Sequence, residues 1–377
     1  MKKYILAALI FLLFAGKTFA ASEYTVEPSL SLSEEYNDNI FSTRSGRVSD
    51  FISYISPGIA LSTRSINSEL RLGYSTSFSF YRSHEELNEP AHRFTAHGSF
   101  TLSERLILTL TDNFIKSSET RDIREIPDIG PVRRAEWTVH TITGNASYRL
   151  TTNLFYTLGL SYSDADTNAS DLIKAKTYSG SMGLTYRTSE RTTLSANASY
   201  IKYDSRPAND ATGQNYLLGV THSLSPTVTI SASGGLSITK IQSEGGSSID
   251  FGGGVDLTKT FEAGIVNLSY RHRVISSVES ESPLRAQTVS FSLSKPVTNK
   301  LAPLLSASYS NYKSIKTAGV NTDEVSFNAG LTYSFIPEAS LSLSYNYVNS
   351  NNKINNDRDF RNNIVLLTLR LSYNKKL

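Results

Sequence analysis

The sequence predicts an all-β protein, a closed antiparallel β-barrel of about 18 strands, within a range of 16–18, that spans the outer membrane of a Gram-negative cell. Both termini are expected in the periplasm. Three observations support this fold class. Segments with alternating polar and apolar residues recur along the chain, the connections between them alternate between short and long, and the N-terminus has the composition of a secretory signal.

The clearest alternating segment is the last one, residues 359–373. One of its faces is continuously apolar, whereas the other carries a charged arginine in its middle. Period-two alternation is typical of a β-strand with two differently solvated faces. A lipid-facing surface and a polar lumen explain it, although a soluble sandwich strand would show the same alternation. The apolar face contains Val365, Leu367, Leu369, Leu371 and Tyr373, and the other face contains Leu366, Thr368, Arg370 and Ser372.

Similar segments can be recognised throughout the chain, and their connections distinguish a barrel from a sandwich. Some connections are two or three residues long, such as Ser103-Glu104 and Pro337-Glu338, and these alternate with long polar ones, such as 37–50 and 117–133. Outer-membrane barrels combine short periplasmic turns with long extracellular loops. The predicted strands are 24–36, 50–64, 67–82, 91–103, 105–118, 134–150, 153–164, 175–188, 192–205, 213–225, 226–242, 247–261, 262–277, 282–297, 299–314, 322–336, 338–351 and 359–375.

The chain ends and the composition limit the class of protein further. Residues 1–20 have a charged start, a short apolar core and a small-residue cleavage site, which predicts a signal peptide followed by a single barrel domain, 21–377. Without its three signal lysines the chain has 34 bases against 34 acids, so no nucleic-acid partner is expected. The absence of cysteine excludes both a disulfide framework and a lipidated N-terminus.

A motif near the mature N-terminus carries a family resemblance. Residues 34–41 read Glu-Glu-Tyr-Asn-Asp-Asn-Ile-Phe, which resembles the signature of the "Putative beta-barrel porin 2" family of outer-membrane barrels. Members of that family are often tied to the export of capsular polysaccharide or exopolysaccharide. The motif can also be interpreted structurally, as an Asx-rich turn with Tyr36 in an outer aromatic girdle.

The resemblance implies a porin-like conduit for polysaccharide export. Its expected partners are outer-membrane lipid and lipopolysaccharide, the barrel-assembly machinery, and periplasmic polysaccharide-export proteins. Two alternatives remain open at this stage. The first is a general or sugar-selective uptake porin, and the second is a non-conducting barrel that serves as a surface scaffold with a plugged lumen.

The longest predicted loop, 117–133, is a candidate constriction. In diffusion porins the loop at this place in the order folds into the lumen, so the resemblance implies the same here. Mixed charges on such a loop would create a transverse field that filters solutes. The alternative is a solvated surface loop. The charged candidates are Asp122, Arg124, Glu125, Asp128 and Arg133.

Six residues that fall on predicted inner faces are candidates for lining the pore. Arginines there would select acidic groups, and the asparagine would bind sugar hydroxyls weakly enough to allow transit. The alternative is that the arginines pair with acidic residues of the lumen and hold the wall together. The candidates are Arg71, Arg187, Asn267, Arg271, Arg273 and Arg370.

Two further expectations concern exceptions and chemistry. Asp112 falls on the expected lipid face, so we expect a bulge or the start of a loop there. The six histidines show no ligand spacing, so neither a metal nor another cofactor is predicted. No G-x-S-x-G elbow is present and no enzyme is predicted; the alternative is a barrel lipase in which His92, His97 or His140 meets a serine.

Overall fold

The computed structural model describes residues 23–119, 122, 134–169, 174–206, 210–242, 246–275, 283–315, 320–354 and 359–376. The predicted signal peptide, 1–20, lies outside these residues. Within them, no helix has the length and apolar character needed to cross a membrane.

The described chain is almost entirely β-strand, and 18 long strands follow one another. The strands are β1 (Glu23–Asn37), β2 (Asp50–Arg64), β3 (Ser68–Tyr81), β4 (Pro90–Ser103), β5 (Leu106–Ser117), β6 (Trp137–Arg149), β7 (Leu154–Thr167), β8 (Lys174–Arg187), β9 (Thr192–Arg206), β10 (Ala211–Ser225), β11 (Val228–Ile241), β12 (Gly246–Phe261), β13 (Gly264–Ile275), β14 (Leu284–Ser294), β15 (Leu301–Ser314), β16 (Asn321–Ile336), β17 (Ala339–Asn352), β18 (Phe360–Ser372) and the two-residue β19 (Lys375–Lys376). A 3-10 helix, Glu85–Leu87, lies between β3 and β4.

The sheet closes on itself. Each strand pairs antiparallel with its neighbours in the chain, and β1 pairs with both β2 and β18. We call the junction of β1 and β18 the seam, and strand β19 extends it by pairing with β1. Closure leaves no unpaired sheet edge, which a sheet in hydrocarbon requires. The predicted fold class, a closed antiparallel barrel of about 18 strands, is therefore confirmed.

The two faces of the wall differ as the alternation predicts. The outer face of β18 exposes Val365, Leu367 and Leu371 by 40–42%, and comparable leucines, tyrosines and phenylalanines cover most of the other strands. Residues that pair on the inner face are mostly serine, threonine, asparagine and glycine, as along β9, β10 and β11. Such a polar inner face requires water, because a buried hydroxyl without a partner costs about 2 kcal/mol.

The two rims of the barrel differ in their connections. At one rim, the short-turn rim, two-residue turns such as 104–105, 226–227, 262–263 and 337–338 join the strands. At the opposite rim, the long-loop rim, the connections include 38–49, 82–89 and 118–136. This arrangement agrees with the alternation of connection lengths in the sequence.

Asp112 does not mark a bulge, and that prediction is wrong. Strands β4, β5 and β6 pair in continuous register on both sides of Asp112, which lies in the middle of β5 on the outer face. Its Oδ1 lies 2.7 Å from Nε2 of His140 on β6, and the ring of Phe114 meets the imidazole edge to face. Because the imidazole partners the carboxylate, the strand can keep its regular geometry.

The motif at residues 34–41 fastens the seam of the barrel. Tyr36 points outward and its ring contacts Phe51 at 5.0 Å between centroids. The carboxylate of Asp38 accepts hydrogen bonds from the backbone N–H (2.7 Å) and the side-chain amide (2.6 Å) of Asn363 on β18. The buried amide of Asn39 donates to the backbone carbonyl of Arg361, 3.0 Å away. The motif therefore joins the first loop to the last strand.

Candidate channel constriction and lumen

The inner face of β2 and β3 is covered near the long-loop rim. Ile52, Tyr54 and Tyr81 point inward from these strands and are 0–5% exposed. Ile40 of the first loop packs against them, with Phe41, Val48 and Leu87 at the edge of the cluster. The loops 38–49 and 82–89 therefore fold over the inner wall in this region. Their burial adds an apolar layer inside an otherwise polar lumen.

Tyr81 also anchors both ends of the longest loop. Its hydroxyl donates to Oε1 of Glu119 (2.6 Å) and accepts from Nη1 of Arg134 (2.7 Å). Arg134 donates in turn to Oε2 of Glu119 at 3.2 Å, and both charged side chains are less than 15% exposed. Glu119 follows β5 and Arg134 precedes β6, whereas Tyr81 ends β3. The base of the loop is therefore drawn inward across β4.

A further set of contacts fixes the loop between β3 and β4. The carboxylate of Asp50, at the start of β2, accepts hydrogen bonds from the backbone N–H groups of Phe51 (2.8 Å) and Ser83 (3.1 Å). Its Oδ2 lies 3.0 Å from Nδ1 of His84, whose ring meets Phe41 edge to face. Three loops thus meet on one sector of the inner wall, which we call the constriction because it is the candidate for narrowing the lumen.

A cavity of about 200 Å³ lies at the constriction, between β2 to β5 and the start of the long loop. Asp122 reaches it from the long loop and accepts a hydrogen bond from Ser117 on β5, at 2.7 Å. Serine hydroxyl groups and charged side chains of both signs contribute to the wall of the cavity, so the cavity can make polar contacts with a small hydrophilic solute. Its lining includes Ser56, Ser75, Ser77, Ser79, Ser117, Glu89, Arg93, Glu119 and Asp122.

Inward apolar clusters also occur elsewhere at the long-loop rim. Trp137 is 1% exposed among inner residues of β5 to β8, Leu284 is fully buried beside Val320, and Ile241 is fully buried beside Tyr203. All three clusters lie where the strands meet the long loops. Packed apolar side chains therefore cover parts of the inner wall next to that rim.

The other half of the inner face, next to the short-turn rim, is open and charged. Its strand-borne carboxylates are paired with bases, whereas Arg187 and Arg370 form no salt bridge with another described residue. The guanidinium of Arg187 lies 6.0 Å from the centre of the Phe155 ring. Arg370 lies between Ser31 and Ser340 in the register of the sheet. The pairs are Glu23–Lys376 (3.5 Å), Glu27–Arg71 (2.8 Å), Glu69–Arg64 (3.0 Å) and Asp256–Arg271 (3.0 Å).

The six candidate pore-lining residues all lie on the inner face, according to the pairing of their strands. Arg71 and Arg271 are each neutralised by an ion pair, as the wall-holding alternative expected. Asn267 accepts from Thr258 and donates to Ser292, so its amide links β12, β13 and β14. The side chains of Arg187, Arg273 and Arg370 are exposed within the lumen. Whether these residues control conduction stays a prediction.

Of the five candidate constriction residues, only Asp122 is among the residues that the structure describes. Asp122 lies on the lumen side of the wall, in the cavity. Arg124, Glu125, Asp128 and Arg133 lie outside the described residues. The sequence pattern did not predict the role of Tyr81, Glu119 and Arg134, which anchor the loop. A large aromatic residue at an inward position of a strand end was the available signal.

The histidines have structural partners. His92 contacts the hydroxyl of Tyr74 at 2.9 Å, His97 contacts Thr111 at 3.4 Å, and His140 contacts Asp112. In the part of the chain that the structure describes, no cluster of three or more His, Asp or Glu side chains is suited to a metal ion. The lipase alternative gains no support from these contacts.

Comparisons with known proteins agree with this architecture. The family model described as "Putative beta-barrel porin 2" matches residues 19–127, so the resemblance noted at residues 34–41 is confirmed over that part of the chain. No curated protein matches the sequence. The match and the closed barrel support an outer-membrane β-barrel with the architecture of porins, a class that is typically not enzymatic.

Solved structures share the barrel at low sequence identity, which shows a common fold alone. Pseudomonas aeruginosa OpdK with vanillate has 13% identity and a TM-score of 0.51, and the match covers 93% of this chain and 99% of that one. P. aeruginosa OccK2 (OpdF) in complex with glucuronate has 10% identity and a TM-score of 0.52, with 93% and 98% covered. Acinetobacter baumannii OccAB4 has 10% identity and a TM-score of 0.50, with 96% and 99% covered.

Proposed function

We propose that this protein is a passive uptake channel for small hydrophilic solutes and that it favours solutes with a carboxylate group. The observation that carries the proposal is the charge balance of the open half of the lumen. There the carboxylates on the strands are paired with bases, and Arg187 and Arg370 are left with exposed guanidinium groups. The inner surface in this half therefore has an excess of positive charge.

Exposed guanidinium groups suit carboxylate solutes for a geometric reason. The planar fork of N–H donors matches both oxygens of a carboxylate, and in a water-filled lumen the interaction stays weak enough to release the solute. The surrounding wall supplies hydroxyls and amides, such as Ser31 and Ser340 beside Arg370. These groups can replace part of the hydration of a polar solute as it moves.

The similar structures support the choice of solute class. Vanillate and glucuronate, which accompany two of the similar barrels, are both small carboxylates. Because the sequence identity to these proteins is low, the specific cargo of this chain does not follow from theirs. The shared property that we carry over is the class, a small solute with one acidic group.

Uptake fits the constriction better than polysaccharide export does. The loop base held by Tyr81, Glu119 and Arg134 lies on the inner wall, and the cavity at the constriction has a volume of about 200 Å³. A polymer in transit would need a continuous wide path past these loops. A small solute can pass a local constriction in steps.

Single-channel recording in a planar bilayer tests the proposal. We expect steady conductance steps, a preference for chloride over potassium in a salt gradient, and transient blocking by glucuronate but not by glucose at equal concentration. The double variant Arg187→Gln/Arg370→Gln should reduce the anion-to-cation permeability ratio by about threefold, since two uncompensated charges are removed. The double variant Arg64→Gln/Glu69→Gln, which removes one neutralised pair, is the matched control.

Two results would overturn the proposal. A silent protein, including after deletion of residues 122–131, would indicate a scaffold without a channel. An open channel that prefers cations, or whose selectivity is the same in the Arg187→Gln/Arg370→Gln variant as in the control, would rule out the carboxylate preference.

A further inference from the structure

The outer face of the barrel carries several lysines at the long-loop rim, and most of them are paired. In each of these pairs a carboxylate neutralises the ammonium group. Such lysines are not available to an anionic ligand without breaking a salt bridge. The pairs are Lys116–Glu136 (3.1 Å), Lys174–Asp166 (2.7 Å), Lys176–Asp164 (4.0 Å) and Lys353–Asp323 (2.6 Å).

Lys202 and Lys240 differ from these lysines. Both are exposed, and neither forms a salt bridge with any residue that the structure describes. In the register of the sheet, Thr212 on β10 pairs with Lys202 on β9 and with Lys240 on β11. The two lysines therefore flank one threonine in a single row, about 10 Å apart at the Cα atoms. Their side chains are long enough to converge on one group above the threonine.

The wall below this row is apolar. Tyr200, Tyr216, Leu218, Leu236 and Ile249 are each 50–70% exposed on the outer face. From Thr212 to the short-turn rim, β10 has about 12 residues, which at a rise of 3.4 Å and a tilt of 40° span a height of roughly 30 Å. This height equals the thickness of the hydrocarbon core of a membrane. The lysine row therefore lies at the level of the lipid headgroups.

We propose that Lys202, Thr212 and Lys240 bind a phosphate group of a phosphorylated lipid in the outer leaflet. The two ammonium groups supply the charge, the threonine hydroxyl supplies a hydrogen bond, and the acyl chains lie on the apolar wall beneath. Long loops of outer-membrane barrels face the cell exterior, so this row meets the outer leaflet. The site is independent of what the lumen transports.

The continuous apolar surface favours a lipid phosphate over free phosphate. A free anion would gain from the two lysines alone, in a position open to water and screened by salt. A lipid gains in addition from burying its chains against Tyr216, Leu218 and Leu236, which free phosphate cannot do.

Binding of diphosphoryl lipid A to the purified full-length protein in detergent tests the proposal. The double variant Lys202→Gln/Lys240→Gln should bind this lipid about 30-fold more weakly than the unchanged protein. This factor corresponds to about 2 kcal/mol of binding free energy, since both ammonium groups near the phosphate are lost. The control Lys259→Gln/Lys313→Gln removes two lysines elsewhere on the outer face and should bind normally. Circular dichroism and gel mobility without heating verify that each variant is a folded barrel.

Two further measurements distinguish a lipid phosphate from free phosphate as the ligand. Lipid A without its phosphates should bind all three proteins equally and weakly, and millimolar inorganic phosphate should not displace the diphosphoryl form. An equal loss of diphosphoryl lipid A binding in the control and in the Lys202→Gln/Lys240→Gln variant would overturn the site. Displacement by inorganic phosphate would overturn its assignment to a lipid.

Discussion

The two halves of the lumen share the same strands but have different inner surfaces. Next to the long-loop rim, inward side chains such as Ile52 and Tyr81 are 0% and 3% exposed. Next to the short-turn rim, the Arg71 side chain is 53% exposed even within its ion pair with Glu27. The difference arises from the connections, since long loops can fold over the inner wall and two-residue turns cannot.

This contrast shows how one wall can supply two functions. The half next to the long-loop rim, which we call the covered half, has apolar contacts and buried hydrogen bonds. These contacts are strong and fix the shape of the constriction. The open half has ion pairs and free guanidinium groups in water, which are individually weak and suit transient contact with solutes. Mutations in the first half should therefore change stability and pore shape. Mutations in the second half should change selectivity with little loss of stability.

The largest expected effect is at Tyr81, in the covered half. Tyr81→Ala removes both the ring that packs with Ile40 and Ile52 and the hydroxyl between Glu119 and Arg134. We expect the free energy of unfolding to fall by about 3 kcal/mol or more. We also expect the single-channel current to become larger and noisier, because the loop base loses its anchor. Urea unfolding in lipid vesicles and planar-bilayer recording measure the two effects.

The variant Tyr81→Phe separates the two roles of the residue. It keeps the ring in the cluster and removes the hydroxyl, so we expect a loss of about 1–2 kcal/mol. Conductance in Tyr81→Ala identical to that of the unchanged protein would show that the loop base does not shape the pore.

A smaller effect is expected at the seam. Asn39 is fully buried, and its side chain bonds the backbone of Thr43 (2.7 and 3.0 Å) and of Arg361 (3.0 Å). Asn39→Ala removes a fully buried side chain that makes these three hydrogen bonds, and should cost about 2–3 kcal/mol. The control Asn349→Ala changes an outward asparagine on β17. Equal melting temperatures for the two variants would contradict a role of the motif in closing the barrel.

The sequence predicted the strands and their faces well, for a physical reason. Alternation in a membrane barrel is enforced on both sides, by lipid outside and water inside, so the pattern is long and regular on strands such as β7, β16 and β18. Connection lengths then reveal the two rims directly. Both signals are local, and neither depends on which residues meet across the lumen.

Side-chain contacts between residues that are distant in sequence were not predictable in the same way, either in the lumen or on the outer face. Tyr81, Glu119 and Arg134 come from one strand end and the two ends of a loop, and no periodicity relates them. Asp112 was misjudged because its partner, His140, lies 28 residues away on the next strand. In both cases the partner that makes a buried polar group acceptable is distant in sequence.

The smallest effect is expected at an ion pair of the open half, Asp256–Arg271, when its carboxylate is removed. Asp256→Asn would release Arg271, whose Nη2 lies 3.0 Å from Oδ1 of Asp256. Since the pair is exposed, its loss should change the free energy of unfolding by less than about 1 kcal/mol. The freed guanidinium should raise the anion-to-cation permeability ratio roughly twofold, measured as a shift in reversal potential. Glu34→Gln, which removes a carboxylate from the outer face, is the control. If both variants shift the potential equally, net charge of the protein sets the selectivity, and the inner surface of the open half does not.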